Sequence, residues 1–455
     1  MKITLSRWKE LFKIAWPLIV ANSFWTLQMT IDRVFLGNYS TESLGAAMAV
    51  MAVFWTPMAL LQQTASYVTT FVAQYLGSNK KESIGPSLWQ GLYFSFVFGL
   101  LFLLLNFLSE DFFKAIGHSQ DILILEVQYY NSVAFSALPT ALVAAFSGFY
   151  TGLGKTRMVM AINGVGLIIN VILDYLLIFG EFGFPELGIA GAGYATSLAG
   201  YGSAVFAAWA VFNKAFEKEF KVLSGWKFDL SIMSRFIKYG FPSGMQWALE
   251  GLAFTVFLMI IGRFPNGDVA LAATSIAVTL MMLSVLPSMG VAQSVMALVG
   301  QHLGEGQPEK AAESAMTGVQ MSSAYMICVG LSLVLIPDFY LFWFENKQNP
   351  ELWGQVAEMS KYLLMFVAMF TLFDSFNFNL SFALKGAGDT KFVSLVSLIL
   401  PWPTFVIPTV YISHLPNATY VAWGFITFYI TLLALIYYLR FRQGKWKSMS
   451  VIDNN

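Results

Sequence analysis

The sequence predicts an all-α membrane protein of twelve transmembrane helices in two six-helix lobes, with both termini in the cytoplasm. Three observations predict it: an apolar, charge-poor composition, an alternation of basic and non-basic loops, and a weak internal repeat. Of 455 residues, 57% are hydrophobic and 11% charged, whereas soluble domains carry about 25% charge. That composition argues against a soluble enzyme and a disordered chain. The balance of 26 Lys and Arg against 26 acids leaves no basic excess for nucleic acid. A single cysteine, Cys328, excludes a disulfide framework and any metal cluster built from several thiolates.

The spans follow from length. A bilayer core of roughly 30 Å takes about 20 apolar residues in a helix. Apolar runs between polar punctuation give spans at 14–37, 44–76, 88–108, 127–153, 159–180 and 190–213. A second set lies at 236–262, 269–300, 315–336, 355–386, 392–412 and 420–439. Several exceed the spanning length and should tilt or protrude. The first span is too long for a secretory signal, carries Asp32 and lacks a small-residue cleavage motif.

The loops set the orientation. Lys and Arg concentrate on the cytoplasmic side of membrane proteins. With the N-terminus inside, the arm, alternate loops and tail hold 21 basic residues, Lys385 and Lys391 among them. The other side holds 5: Arg33, Lys114, Arg263, Lys347 and Lys361. A missed or extra helix would spoil this alternation.

The repeat sets the lobes. Gln74-Tyr75-Leu76-Gly77 recurs as Gln301-His302-Leu303-Gly304, an offset of 227. Gly152-Leu153-Gly154-Lys155-Thr156 recurs as Gly386-Ala387-Gly388-Asp389-Thr390, an offset of 234, and Pro17 matches Pro242. Six helices per repeat insert both halves the same way up, about an axis along the membrane normal. The expected lobes are 1–220 and 221–455, joined by the basic segment 214–238.

Four acids fall inside spans and away from their ends: Asp32, Asp174, Glu250 and Asp374. Each costs on the order of 2.5–3.5 kcal/mol at a helix centre, so an idle one is disfavoured. Glu250 lies 12 residues after Lys238, and Asp374 lies 11 before Lys385. Both positions are therefore about 17–18 Å above the cytoplasmic side at the usual rise. Asp32 and Asp174 each lie 19 residues past a lysine, about 28 Å up. Each half thus holds one acid pair, at its own height. No Lys or His within the spans stands near these acids in sequence, and Arg33 and Arg263 should snorkel outward.

A buried carboxylate without a cationic partner holds a proton or binds a cation, which suits ion coupling. Neutral oxygen donors lie about one turn away: Asn170 before Asp174, Gln246 before Glu250, and Asn377 after Asp374. Na⁺ sites use such mixed oxygens, and so does ordinary helix–helix hydrogen bonding; the pattern fits both. Glu250 and Asp374 are the candidate Na⁺ ligands. Trp247 and Phe376, near the acids in sequence, are candidate substrate contacts. No cofactor is expected, only a coupling Na⁺ or H⁺.

Other motifs fail. Gly154-Lys155-Thr156 invites a nucleotide-binding reading, but the phosphate loop needs a glycine where Phe149 stands. His118, His302 and His414 sit in or beside loops without metal spacing and are expected to be solvated. Pro17, Pro139, Pro242 and the cluster Pro401, Pro403 and Pro408 interrupt spans 1, 4, 7 and 11, with Pro17 and Pro242 as hinge candidates.

The chain resembles the MATE (multidrug and toxic compound extrusion) family, and more narrowly its NorM-type branch, over essentially its whole length. The resemblance is carried by Ile31-Asp32-Arg33-Val34-Phe35-Leu36-Gly37, then by Gly183-Phe184-Pro185 and Leu187-Gly188-Ile189-Ala190-Gly191-Ala192-Gly193-Tyr194-Ala195-Thr196. Gly240-Phe241-Pro242 with Glu250 eight residues on, and Asp374 followed by Lys385-Gly386, complete it. The resemblance implies two six-helix lobes in a V. It implies export of bulky, mostly cationic amphipathic compounds in exchange for Na⁺ or H⁺, by alternating access. Asp32 matches the family's first-helix acid, and Glu250 and Asp374 match the NorM-type cation site. Asn170 and Asp174 match a pair carried by archaeal and DinF-type relatives, so this chain combines two subgroup signatures.

The expected protein is a monomeric, multi-pass inner-membrane transporter of lipophilic cations. One rival is a lipid-linked oligosaccharide flippase of the same superfamily, whose pyrophosphate cargo would call for buried Arg or Lys. A membrane-embedded enzyme is disfavoured by the absence of any catalytic constellation.

Overall fold

A computed structural model describes residues 5–345 and 349–452; Lys347, used in the charge count, lies outside the described residues. Among the described residues all regular structure is helical. In chain order the long helices are α1 (Leu5–Tyr39), α2 (Thr41–Gly77), α3 (Lys81–Ile116), α4 (Gln120–Gly152), α5 (Thr156–Phe179) and α6 (Gly188–Val211). There follow α7 (Leu230–Ile261), α8 (Gly267–Gly304), α9 (Pro308–Leu335), α10 (Pro350–Ala387), α11 (Thr390–Tyr411) and α12 (Ala418–Arg442). Every expected span falls on one of them.

Ten of these helices are long and apolar enough to cross a membrane, or eleven if α6 and the short helix Lys214–Phe220, bent by 67° from it, count as one. Helix α1 is outside that number for a chemical reason. Its membrane-length stretch carries Asn22, Ser23, Thr26, Gln28, Thr30 and Asp32. The ion pairs group the loops in the same two sets as the charge alternation. Arg7–Glu313 (2.6 Å), Lys81–Glu219 (2.9 Å), Lys447–Glu309 (2.7 Å) and Arg440–Asp389 (2.7 Å) join residues of loops assigned to one side. Lys114–Glu110 and Lys361–Asp338, each at 2.6 Å, join residues of the other. All of these but the largely buried Arg440–Asp389 are partly or fully exposed, and exposed pairs contribute little stability; their value here is topological.

The helices form two compact units. The first comprises Trp16–Ala248, Gly300–Gln307 and Ser450–Asn455. Within it α5 packs along α6, and α4 lies against both α3 and α6. The second comprises Met1–Ala15, Leu249–Val299 and Pro308–Met449, and within it α10 packs against α9 and α12. The division falls inside α1 just before Pro17 and inside α7 shortly after Pro242.

The repeated motifs build repeated geometry. Helix α4 ends in a turn where Lys155 N donates to Tyr150 O (2.8 Å) and Gly154 N to Thr151 O (2.9 Å). Helix α10 ends with Asp389 N to Leu384 O (2.9 Å) and Gly388 N to Lys385 O (3.1 Å), the same bonds 234 residues later. Both turns pass through left-handed backbone, φ +72° at Gly154 and +104° at Gly388, which is why glycine recurs there. The other repeated motif places two helix ends in contact. A Cβ on Gly77 would stand 2.0 Å from Gln301 O, and one on Gly304 would stand 2.3 Å from Gln74 O.

Proline disturbs helix regularity in two of the four spans where it was expected to, spans 4 and 11, and leaves spans 1 and 7 unbroken. A 3₁₀ turn, Ala134–Ser136, precedes Pro139, and the cluster around Pro403 sits in a π-helical segment, Trp402–Val406. Pro17 and Pro242 lie inside continuous helices.

Because the atoms facing Gly77 are backbone, Gly77→Ala should cost about 1–3 kcal/mol and lower the melting temperature of the purified protein in detergent. Gly424, with nothing within 4 Å of its Cβ position, is the control: Gly424→Ala should melt at or above wild type.

Candidate functional site

The first acid cluster is built by α1, α5 and α6 in the first unit. Helix packing in lipid relies on small residues that let backbones approach. A Cβ on Gly191 of α6 would stand 2.4 Å from Leu177 O of α5. This approach brings Thr196 of α6 to 3.5 Å from the Asn170 amide. With its amide nitrogen facing the acids, Asn170 donates to Asp32 Oδ1 at 2.9 Å and to Asp174 Oδ2 at 3.3 Å. One amide thus bridges the two carboxylates, which repel each other when both are ionised. Asp32 is 7% exposed, Asn170 and Asp174 are fully buried, and Asp174 Oδ1 has no hydrogen-bond partner.

A small recess opens beside this cluster, lined by Met29, Asp32, Arg33, Met48, Met51 and Tyr129 among others. Tyr129 senses the charge of both acids. Arg33 is exposed at the cluster's edge.

The second cluster lies in the second unit, on α7, α10, α11 and α12. Ser397 of α11 donates to Glu250 Oε1 at 2.6 Å, and its hydroxyl is 3.5 Å from Tyr437 OH of α12. Asp374, 8% exposed, accepts from Asn377 Nδ2 at 3.3 Å. The same nitrogen donates to Ile430 O at 3.2 Å. Glu250 and Asp374 are close enough to feel each other's charge. The oxygen chemistry fits a small hard cation: two carboxylates, the Ser397 hydroxyl, and Asn377 Oδ1, which is buried without a partner. Among the described residues no group of three or more His, Cys, Asp or Glu gathers. Gln246 is buried one turn before Glu250 on α7. Phe376 packs edge-on against Tyr438, with ring centroids 6.4 Å apart.

Two expectations are corrected. Lys385, assigned to a cytoplasmic loop, lies within α10, is 1% exposed and senses the charge of Glu250. The second acid pair therefore does have a cationic neighbour, brought in by the fold from 135 positions away in sequence. His118 is exposed, as expected, and also contacts Glu126 Oε1 at 2.6 Å. Glu126, read as lying outside its span, is seven residues into α4 and fully buried. Periodicity missed it because α4 begins before its apolar run does. Sequence reasoning also missed Thr196, Tyr129, Ser397 and Tyr437. Single hydroxyls in apolar helices carry no local signal of what they face.

Comparison with known proteins bears on this architecture directly. The sequence profile of the MatE family matches residues 17–176 and 242–412. A probable multidrug resistance protein NorM of Thermotoga maritima is 25% identical over 458 aligned residues, covering 98% of this chain and 94% of that one. The multidrug resistance protein PmpM of Pseudomonas aeruginosa is 28% identical, covering 87% and 81%. Among solved structures, a MATE in complex with MaL6 aligns with a TM-score of 0.88 at 19% identity, over 97% of this chain and 98% of that one. A MOP-superfamily transporter from Pyrococcus furiosus aligns at 0.87 with 18% identity, over 97% of both. These structures share its fold. With well over half of its length matched by the family profile, the chain belongs to the MatE family of membrane transporters.

Proposed function

We propose that this protein is a secondary multidrug antiporter of the inner membrane, with both termini cytoplasmic. It exports amphipathic, mostly cationic compounds in exchange for Na⁺ or H⁺. The observation that carries the reading is the Asp32–Asn170–Asp174 cluster opening onto a methionine-lined recess. A buried carboxylate pair is a site where an entering ion and a cationic substrate compete for one charge. Methionine side chains are flexible and polarisable, and adapt to cargo of varied shape. The multidrug resistance names of the NorM and PmpM relatives agree with this reading.

In this mechanism Asp32 and Asp174 share the ion, and Asn170 holds both carboxylates in place by donating to each. Glu250 and Asp374 form a second ion site, with Ser397 orienting Glu250 and Asn377 orienting Asp374. Ion entry favours one arrangement of lobes 1–220 and 221–455 over another, which is alternating access. Pro17 and Pro242 are the hinge candidates, each lacking a backbone donor inside a long helix. The protein works as a monomer in the bilayer and uses no cofactor beyond the coupling ion. A flippase for pyrophosphate-linked cargo is disfavoured by a recess whose buried charge is an acid.

Purified protein in proteoliposomes should expel ethidium when an inward Na⁺ or H⁺ gradient is imposed, and the effective gradient names the ion. Efflux without any gradient dependence would exclude antiport. Asp32→Asn, Glu250→Gln and Asp374→Asn should each cut gradient-driven export at least tenfold while keeping the wild-type melting profile. Full drug resistance in cells carrying Glu250→Gln or Asp374→Asn would remove the second cluster from the mechanism. Ser397→Ala takes away a hydrogen bond to a charged acceptor, worth about 1.5–3 kcal/mol. It should raise the coupling-ion concentration for half-maximal transport roughly tenfold or more, with the maximal rate less affected.

A further inference from the structure

The segment that joins span 6 to span 7 has an organised structure that transport does not explain. Between Lys214 and Leu230 the sequence holds four lysines and three acids. Every acid is already engaged. Glu217 Oε2 accepts from Leu223 N (2.6 Å) and Ser224 N (3.2 Å), and its Oε1 accepts from Ser224 Oγ (2.6 Å). Glu219 pairs with Lys81, and Asp229 Oδ1 caps the start of α7 through Ser231 N (2.8 Å) and Ile232 N (3.1 Å). Lys214, Lys218 and Lys227 stay exposed.

The same segment presents apolar side chains outward. Leu223, Trp226, Phe228 and Leu230 are 44%, 58%, 59% and 72% exposed. Their backbone is nonetheless pinned to the end of α3. Trp89 Nε1 donates to Val222 O at 2.7 Å, the Tyr93 hydroxyl donates to Trp226 O, and Gln90 Nε2 donates to Lys227 O at 3.4 Å. Phe220 and Val222 are buried beneath, with Phe220 packed edge-on to Phe149. A connector needs neither this docking nor an exposed tryptophan. The segment therefore holds ammonium groups and apolar side chains in one rigid ledge, with its carboxylates already occupied.

We infer that residues 214–230 form a docking ledge for anionic phospholipids of the leaflet on the linker's side. The lysines meet headgroup phosphates, while Trp226, Phe228 and Leu230 enter the boundary between headgroups and acyl chains. Tryptophan is enriched at this boundary, and each nearby lysine favours an anionic surface. Charge complementarity selects the occupant: ammonium groups beside apolar rings match a phosphodiester on an acyl chain better than they match a neutral lipid. The inference rests on the membrane architecture and is independent of which ion drives transport.

The test uses the full-length protein in nanodiscs made with brominated phosphatidylglycerol or brominated phosphatidylcholine. The contribution of Trp226 is read as the difference in fluorescence quenching between wild type and Trp226→Phe. Quenching of that contribution should be at least twofold stronger in the phosphatidylglycerol discs. In the Lys214→Gln/Lys218→Gln/Lys227→Gln variant the preference should vanish. Phosphatidylglycerol retention, counted by native mass spectrometry, should fall roughly tenfold or more in that variant. High salt should weaken the wild-type preference. Equal quenching by both lipids in wild type would overturn the proposal, as would an unchanged preference in the lysine variant. Quenching of Trp226 by aqueous iodide alone would also overturn it and assign the ledge to a soluble partner or a second copy. Melting temperatures and ethidium export matching wild type would exclude misfolding of the variants.

Discussion

The organising constraint is the cost of a carboxylate in hydrocarbon. An ionised acid at the centre of a membrane helix is disfavoured by several kcal/mol unless donors or a cation reach it. Four such acids are distributed over α1, α5, α7 and α10, and the surrounding helices are placed so that each finds partners. In the first unit one amide, Asn170, serves two carboxylates at 2.9 and 3.3 Å. It can do so because α5 and α6 approach closely enough at Gly191 for Thr196 to stand beside it. In the second unit the donors come from two helices, Ser397 on α11 and Asn377 on α10, with Tyr437 of α12 beside the Ser397 hydroxyl. Lys385 adds a buried cation within reach of Glu250.

The two halves share a scaffold without sharing a site. The turns after Tyr150 and after Leu384 carry the same hydrogen bonds and the same left-handed glycine. The close approach at Gly77 is mirrored at Gly304. Yet the position 234 before Asp374 is Thr140, and the residue matching Asp389 is Lys155. Asp389 is locked by a bidentate contact from Arg440, at 2.7 and 3.1 Å, whereas Lys155 lies 4.6 Å from the centroid of the Phe216 ring. Helix-terminating turns depend on backbone geometry and so tolerate divergence around them; ion sites depend on side chains and diverge with those side chains. Membership of a transporter family also removes the membrane-embedded enzyme as a reading of these acids.

Much of the fold was legible because hydrocarbon imposes length, apolarity and charge sidedness on a linear sequence. The expected spans all fall on helices, and the described ion pairs respect the expected sides. Legibility failed at helix ends. Glu126 lies before the apolar run yet inside α4, where it meets His118. Lys385 looked like a loop charge because it lies three residues before a glycine turn, but α10 continues to Ala387 and buries it. Both errors have one cause: a helix extends beyond the stretch that touches lipid, and the extension packs against protein.

The sequence by itself determined the membrane class, the helical repeat and the identity of the four stranded acids. Each follows from the local cost of placing a residue in a bilayer, which composition and spacing record. Only the tertiary structure decided which groups answer those acids. Thr196, Ser397, Tyr437 and Lys385 stand far from their carboxylates along the chain, and their nearness depends on how helices turn and slide against one another. A hydroxyl in an apolar helix has the same sequence whether it faces lipid, a neighbour or an ion.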